Sequence, residues 1–175
     1  MSIAWRSTRP DAGEYTPFYA GYIARVPDAD IVDTLSRQIS ETTVFLRSLP
    51  ESVGDHRYAP EKWSIREVIG HMSDAERVFT YRALRFSRAD ESPVPGFDEN
   101  TYVANASFGR RSLDDLINEF EYLRRATICL FNSLDDEAMS RRGTANGNEI
   151  SVRALAFCLA GHETHHLDIL RTRYL

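Results

Sequence analysis

The stretch AGHETHHLDIL (residues 160–170) places three of the chain's five histidines within five positions. Imidazole nitrogens bind divalent transition metals, and a bound ion can activate a water or a thiol near neutral pH. His162, Glu163 and His166 also form H-E-x-x-H, the pattern with which one class of metalloproteases binds zinc. The stretch therefore has three interpretations: a zinc-protease helix, another metal site, or a group of core histidines.

The positions of these side chains on a helix indicate which of them can share an ion. An α-helix advances about 100° per residue, so His166 lies about 40° from His162 and His165 about 60° to the other side. His162 and His166 occupy the middle of the apolar stripe one turn apart, His165 lies at its edge, and Glu163 points about 100° away. The same stripe contains Leu155, Cys158, Leu159 and Ile169.

His71 is a third inward-facing histidine, predicted on an earlier helix beside Val68, Ala75 and Val78. A single histidine on an apolar face is usually a core residue bonded to a backbone carbonyl. Three such residues favour shared coordination of one ion, because each buried imidazole needs partners for its nitrogens. Three ligands leave a position open for water or substrate. His56 lies in a polar connection and has no such context.

Cys158 lies one turn before His162 on the same face, so its thiolate could be a fourth ligand. The favoured interpretation is a small core residue, since buried cysteines usually behave as hydrophobic side chains. Cys129 points away from its helix stripe, so no disulfide is expected. Two cysteines and an N-terminus without an apolar leader segment predict a cytoplasmic protein.

The zinc-protease interpretation fails on the residues around the motif. A third ligand is expected downstream, but only nine residues follow His166, and Asp168 is the only carboxylate among them. No strand that could bind a peptide is predicted beside the motif helix. The chain is therefore not expected to be a peptidase.

Four segments with helical periodicity must position these histidines, and no convincing strand alternation is found. The predicted helices span residues 29–49, 64–86, 112–134 and 151–174. Ser64, Ser112 and Ser151 are the predicted N-cap residues of the second, third and fourth helices. One apolar stripe on each predicts an all-α four-helix bundle. We expect a single domain over residues 1–175, with residues 1–28 as an irregular cap and a long connection between the second and third helices.

Composition excludes two classes of partner. The net charge is −5, and acidic and basic residues interleave without a basic stripe, so nucleic-acid binding is not expected. No apolar run reaches the length of a transmembrane helix, so no membrane partner is expected either.

The chain resembles the DinB/YfiT-like superfamily of metal-binding four-helix bundles, most specifically in KWSIREVIGH (residues 62–71) and GHETHHLDIL (residues 161–170). The resemblance implies one ion held by His71, His162 and His166, with nickel or zinc favoured and iron also found in similar proteins. It implies a small-molecule substrate, a homodimer, and either thiol S-transfer with a low-molecular-weight thiol or metal-dependent hydrolysis. The alternative is a non-catalytic bundle that the metal stabilises or that senses metal.

Further residues are candidates for the same pocket. Arg82 and Arg85 could bind a substrate anion, since Arg82 lies about 20° from His71 on the helix and three turns further on. The favoured alternative for these arginines is an ion pair with Asp74, Asp98 or Glu99.

The long connection and the last helix supply the remaining candidates. Tyr102 and Asn105 are expected to line the pocket from the connection, and His165 from the edge of the last helix. Glu163 is expected to orient a neighbouring side chain or to meet a second subunit rather than to act as a base.

Overall fold

A computed structural model describes residues 4–175; residues 1–3 of the predicted N-terminal cap lie outside this range. The predicted all-α four-helix bundle is confirmed. Its helices are α2 (Ile31–Arg47), α3 (Ile65–Ser87), α5 (Leu113–Asn132) and α7 (Val152–Ile169), and a π-helical turn, Leu170–Tyr174, follows α7. The shorter helices are α1 (Pro17–Ile23), α4 (Glu99–Asn105) and α6 (Asp136–Ser140). No described helix is long and apolar enough to cross a bilayer.

Side-chain caps fix where the bundle helices begin. The Ser64 hydroxyl accepts from the Glu67 backbone N–H, and the Glu67 carboxylate accepts from the Ser64 N–H, which completes a capping box at the start of α3. Ser112 and Ser151 cap α5 and α7 in the same way without the reciprocal bond, and Asp30 caps α2. The start of α3 therefore fixes the phase with which His71 enters the core.

The bundle has a diagonal arrangement. α2 packs against α5 and α7, and α3 packs against the same two helices from the opposite side. The first two bundle helices in the chain, α2 and α3, therefore lie diagonally across the bundle from each other. The last two, α5 and α7, also lie diagonally from each other. This places α3 directly beside α7, which is the contact that a site shared by these helices needs.

A charged layer divides the core into two apolar clusters. Each bundle helix contributes one buried polar side chain to it: Thr42, Glu76, Arg124 and Glu163. The Arg124 guanidinium donates to both carboxylates, and the Thr42 hydroxyl donates to Glu163. We refer to these four residues as the charged layer. Arg124 neutralises one of the two carboxylate charges and donates to both groups, and burial raises the pKa of Glu163, so the layer avoids the large penalty of an isolated buried ion.

A β-hairpin before α7 corrects the expectation that the chain has no strand. β1 (Arg142–Ala145) pairs antiparallel with β2 (Asn148–Ser151), and Val94 adds a parallel bridge to Ala145. Asn146 and Gly147 both take positive φ values, 52° and 73°, as a two-residue hairpin turn of type I′ requires. Strands of four residues are too short for a clear alternation, but the Asn-Gly pair was a usable sequence signal.

The predicted long connection contains structure of its own, since it includes α4 and a short 3-10 turn at Phe108–Arg110. The predicted N-terminal cap contains α1, which packs on α7. Gly161 permits this contact: a Cβ at that position would lie 2.0 Å from the backbone oxygen of Tyr22. The approach of α1 to the backbone of α7 therefore depends on the residue directly before His162.

Candidate metal centre

Three buried histidines meet where α3 packs against α7. The Nε2 atom of His162 lies 3.1 Å from the Nε2 atom of His71 and 3.1 Å from that of His166. One ring nitrogen of each residue lies within 4.8 Å of the other two. The structure thus brings together the three residues that were predicted from the sequence to be metal ligands. We call them the histidine cluster.

The cluster has the dimensions of a metal site. Nitrogen ligands lie about 2.0–2.1 Å from a zinc ion, so two of them in a tetrahedral set are about 3.3 Å apart. The two distances from the His162 Nε2 atom, 3.1 Å each, are close to that value, and the donor set of neutral imidazoles suits zinc, nickel and iron. Within residues 4–175 no cysteine or carboxylate joins the group, so only three ligands are available.

Burial keeps the cluster in the neutral form that binds metals. Burial lowers the pKa of His71 from 6.5 to about 4, with a smaller contribution from His165. Burial also holds the pKa values of His162 and His166 well below the ordinary value, and the other cluster histidines add to this effect. The ring nitrogens are therefore available as lone-pair donors at neutral pH.

We expect the metal-free protein to lose stability as the pH falls from 6.5 towards 4. The pKa of His71 is lower in the folded state than in the unfolded chain, so acid protonates the unfolded chain first. The contribution of His71 is complete above about pH 6.5 and amounts to roughly 3 kcal/mol across the window. Urea unfolding of chelator-treated protein at several pH values measures it. A free energy of unfolding that is flat from pH 7 to 5 would contradict the expectation.

Aromatic side chains fix the rings of the cluster. Trp63, directly before the cap of α3, lies against His71 with a centroid distance of 4.7 Å. Tyr22 on α1 packs edge-on against His162 at 5.5 Å, and Phe79 contacts the same ring at 6.0 Å. The Nδ1 atom of His71 has no hydrogen-bond partner, so stacking rather than a second hydrogen bond orients this ring.

A cavity of about 310 Å³ opens onto the cluster, which is at the lower end of the volumes typical of small-molecule sites. Its walls come from α1, α3, α7, the connection before α4, and the hairpin turn. The lining residues are Phe18, Tyr19, Tyr22, Trp63, His71, Ala75, Phe79, Arg82, Gly96, Phe97, Glu99, Asn146, His162, His165 and His166. The histidine cluster is therefore accessible to a small reactant.

Cys158 and Glu163 lie outside the cavity lining. Cys158 is fully buried in the apolar core, and burial raises the pKa of its thiol, which matches the favoured expectation of a core residue. Glu163 points into the charged layer, where Arg124 and Thr42 donate to it. The glutamate of H-E-x-x-H therefore lies away from the side on which a reactant would enter.

The candidate residues of the connection lie elsewhere than expected. Tyr102 is half-exposed against Phe97, and the Asn105 side chain donates to the Thr101 carbonyl within α4; neither lines the cavity. The connection reaches the cavity earlier in the chain, through Gly96, Phe97 and Glu99. The expectation was wrong because α4 turns these two side chains outward, and a helix of seven residues is too short for its periodicity to be recognised in the sequence.

The two candidate arginines differ in their surroundings. Arg85 forms an ion pair, as the alternative expected, but its partner is Asp90, at 2.6 Å, rather than Asp74, Asp98 or Glu99. Arg82 is buried and lines the cavity, and within the described residues no carboxylate lies at ion-pair distance from it. His165 is half-buried at the cavity edge, between Tyr22 and His166, and is not part of the cluster.

Sequence reasoning missed several lining residues. Trp63 had a usable signal, because it immediately precedes the Ser64 cap and lies two helical turns before His71. Tyr22 and Asn146 had none that periodicity could supply, since their places depend on how α1 and the hairpin pack on the bundle.

Fold and site together define a helical-bundle protein with a buried three-histidine cluster at the base of a cavity. The model of the DinB superfamily matches residues 34–170, and the chain belongs to this superfamily. The predicted family membership is thereby confirmed. A protein of Oceanobacillus iheyensis is 28% identical over 138 residues, which span 78% of this chain and 77% of that protein; its name assigns it provisionally to the metal-dependent hydrolases.

Two solved structures share the fold. YfiT from Bacillus subtilis, provisionally described as a metal-dependent hydrolase with an unusual four-helix bundle topology, has a TM-score of 0.68 over 94% of this chain and 93% of its own. The mycothiol-dependent maleylpyruvate isomerase has a TM-score of 0.67 over 83% of this chain and 62% of its own. Each is 15% identical to this chain, a level at which the likeness establishes the fold alone.

Proposed function

We propose that this protein is a metal-dependent enzyme acting on a small molecule, with one divalent ion, zinc or nickel, held by His71, His162 and His166. One observation carries the proposal: three converging ring nitrogens lie at the base of an open cavity, and no fourth ligand is present among the described residues. Structural sites close their coordination with four protein ligands, whereas reactive sites keep a position open. The geometry thus favours catalysis over a purely structural or sensing role.

The chemistry divides between the ion and the chain. When bound, the ion would hold a thiol as thiolate, or a water as hydroxide, near neutral pH. Trp63, Tyr22 and Phe79 surround the cluster with apolar surface, which limits the access of bulk water and orients the three rings. These aromatic side chains therefore both shape and desolvate the place where a reactant would lie.

The surroundings of Glu163 favour thiol transfer over hydrolysis. A thiol bound to the ion can lose its proton to solvent and react as the thiolate, whereas hydrolysis of the H-E-x-x-H kind employs the glutamate of the motif as general base. Glu163, the carboxylate of the motif, is occupied by Arg124 and Thr42. The mycothiol-dependent isomerase that shares this fold agrees with thiol chemistry, and the name of the Oceanobacillus relative makes hydrolysis the second candidate.

A turnover assay separates these reactions. Protein loaded with zinc or nickel is mixed with monochlorobimane and, in separate reactions, bacillithiol, mycothiol, glutathione or cysteine; p-nitrophenyl acetate tests hydrolysis in parallel. We expect conjugation with at least one thiol that is lost on chelation, because thiolate formation depends on the ion.

Two variants control the assay. His162→Ala is expected to reduce the rate to the background of free thiol, and exposed His56→Ala to leave it unchanged. Bound metal without turnover of any thiol or ester would contradict an enzymatic role and favour the non-catalytic bundle.

A further inference from the structure

Arg82 is a buried cation without a counter-ion. Three arginines are buried among the described residues, and two of them are paired: Arg66 with Glu51 and Asp55, and Arg124 with Glu76 and Glu163. Arg82 is 2% exposed, and no carboxylate within residues 4–175 lies at ion-pair distance. An uncompensated buried charge is costly, so its retention calls for a partner that is not part of the chain.

The hydrogen bonds of Arg82 are also incomplete. Its Nε atom is buried and has no partner, and its Nη2 atom has only a long contact of 3.4 Å to the Pro95 carbonyl. A guanidinium carries five donors in a planar fork that matches the two oxygens of a carboxylate. The unused donor is the kind that a bidentate anion would occupy.

Arg82 lines the same cavity as the histidine cluster. Phe79 neighbours both groups: its ring lies 6.0 Å from the His162 ring and 5.7 Å from the Arg82 guanidinium carbon, so the His162 ring and the guanidinium are within about 12 Å of each other. A helical side chain leans towards the N-terminus of its helix, which here is the direction of His71. A small molecule could therefore contact both groups across the face of Phe79.

Three polar side chains line the cavity together with Arg82: Tyr19, Asn146 and Glu99. Tyr19 on α1 is the neighbouring phenol. Burial raises its pKa, so it stays protonated; the charge of Arg82 and a side-chain hydrogen bond with Arg82 oppose that rise, so Tyr19 is a neutral partner that leaves the charge of Arg82 uncompensated. Asn146 on the hairpin turn packs against Gly96, since a Cβ on Gly96 would lie 2.4 Å from the Asn146 Oδ1 atom, and both residues line the cavity. Glu99 is the carboxylate that lines this cavity, and it is exposed and not within ion-pair distance of Arg82.

We infer that Arg82 binds the carboxylate of a small organic acid whose reacting group lies at the histidine cluster. The inference rests on the proposed function and narrows its substrate class to molecules of cavity size that carry an anionic group remote from the reacting atom. Arg82 is in this scheme a binding residue that orients the substrate through its charged end.

A pair of matched probes tests the anion site without relying on the metal. Chelator-treated and zinc-loaded protein are each titrated with 3-phenylpropionate and with 3-phenylpropionamide, and the Arg82 Nε–H signal is followed by NMR. The acid is expected to bind about 10- to 100-fold more tightly than the amide and to move that signal, because a charge-assisted bond replaces an unmade one. Equal binding of acid and amide in both forms of the protein would overturn the inference.

Variants assign the effect to Arg82. Arg82→Gln is expected to abolish the preference for the acid, and Arg82→Lys to retain part of it, because lysine keeps the charge without the fork. Arg85→Gln, three residues further along α3 and already paired with Asp90, is the matched control and should keep the full preference. Thermal unfolding accompanies each variant. A folded Arg82→Gln protein that still prefers the acid would also overturn the inference.

A second pair of probes links the anion site to the proposed chemistry. In zinc-loaded protein, 3-mercaptopropionate and 3-mercaptopropionamide are compared, and the metal content is measured independently. Loss of thiol binding with the acid preference for phenylpropionate intact would count against the metal chemistry but support the anion site. Thiol binding without any acid preference would support the metal chemistry and overturn the anion site.

Discussion

Replacing His162 with alanine is expected to reduce the affinity for a divalent ion by about 100-fold or more. His162 is the central member of the cluster, since its Nε2 atom lies 3.1 Å from those of both His71 and His166. Binding free energies of about 10–16 kcal/mol for four-ligand zinc sites imply roughly 3 kcal/mol for each ligand. Metal analysis of the purified protein, followed by competition with a chromophoric chelator, measures the change.

Two histidines that lie outside the cluster control this prediction. His165→Ala changes the residue adjacent to a proposed ligand, and His56→Ala changes an exposed histidine; both variants should keep wild-type affinity. If wild type and His162→Ala carry equally little metal, the proposed ligand set is wrong. If His165→Ala loses metal to the same extent as His162→Ala, the exclusion of His165 from the ligand set is wrong.

Arg124→Met is expected to destabilise the protein by about 3–5 kcal/mol, which lowers the melting temperature by roughly 10 °C. Arg124 is 1% exposed and donates to both Glu76 and Glu163. Its removal leaves two buried carboxylates without a cation, and the penalty comes from these orphaned charges rather than from lost packing, since methionine fills much of the same volume. Urea unfolding of metal-free protein measures the loss.

The neighbouring residue supplies a matched control for Arg124. Arg125 pairs with Glu121 at the surface, so Arg125→Met should change stability by less than about 1 kcal/mol. A triple variant, Glu76→Leu with Arg124→Met and Glu163→Leu, should recover most of the stability, because it removes all three buried charges together. Equal losses in the free energy of unfolding for Arg124→Met and Arg125→Met would show that the charged layer contributes no more to stability than a surface ion pair.

The histidine cluster could be predicted from sequence because helical geometry alone places its members. His162 and His166 recur one turn apart within an apolar stripe, and His71 has apolar neighbours at helical spacing. The same reasoning found the bundle, since long amphipathic helices leave few ways to bury their stripes. Local chemistry, such as the Ser64 cap, also determines where the helices begin.

The features that were missed depend on packing between distant parts of the chain. The position of Arg82 on its helix does not determine whether it has a counter-ion. Three acidic residues, Asp74, Asp98 and Glu99, were candidate partners. Asp74 instead lies near Arg77, and Asp98 caps α4. The unpaired state of Arg82 appears only when every element around it is in place.

The charged layer has a consequence for the order in which the protein can assemble. Arg124 receives its second carboxylate, and Glu163 its only cation, when α7 docks on the other three bundle helices. The same helix brings His162 and His166 to His71. A partly assembled chain without α7 therefore has the Arg124–Glu76 pair but not Glu163, and it has only one of the three histidines. The step that completes the core also creates the pocket for the ion, so incompletely folded chains would not sequester metal in this way.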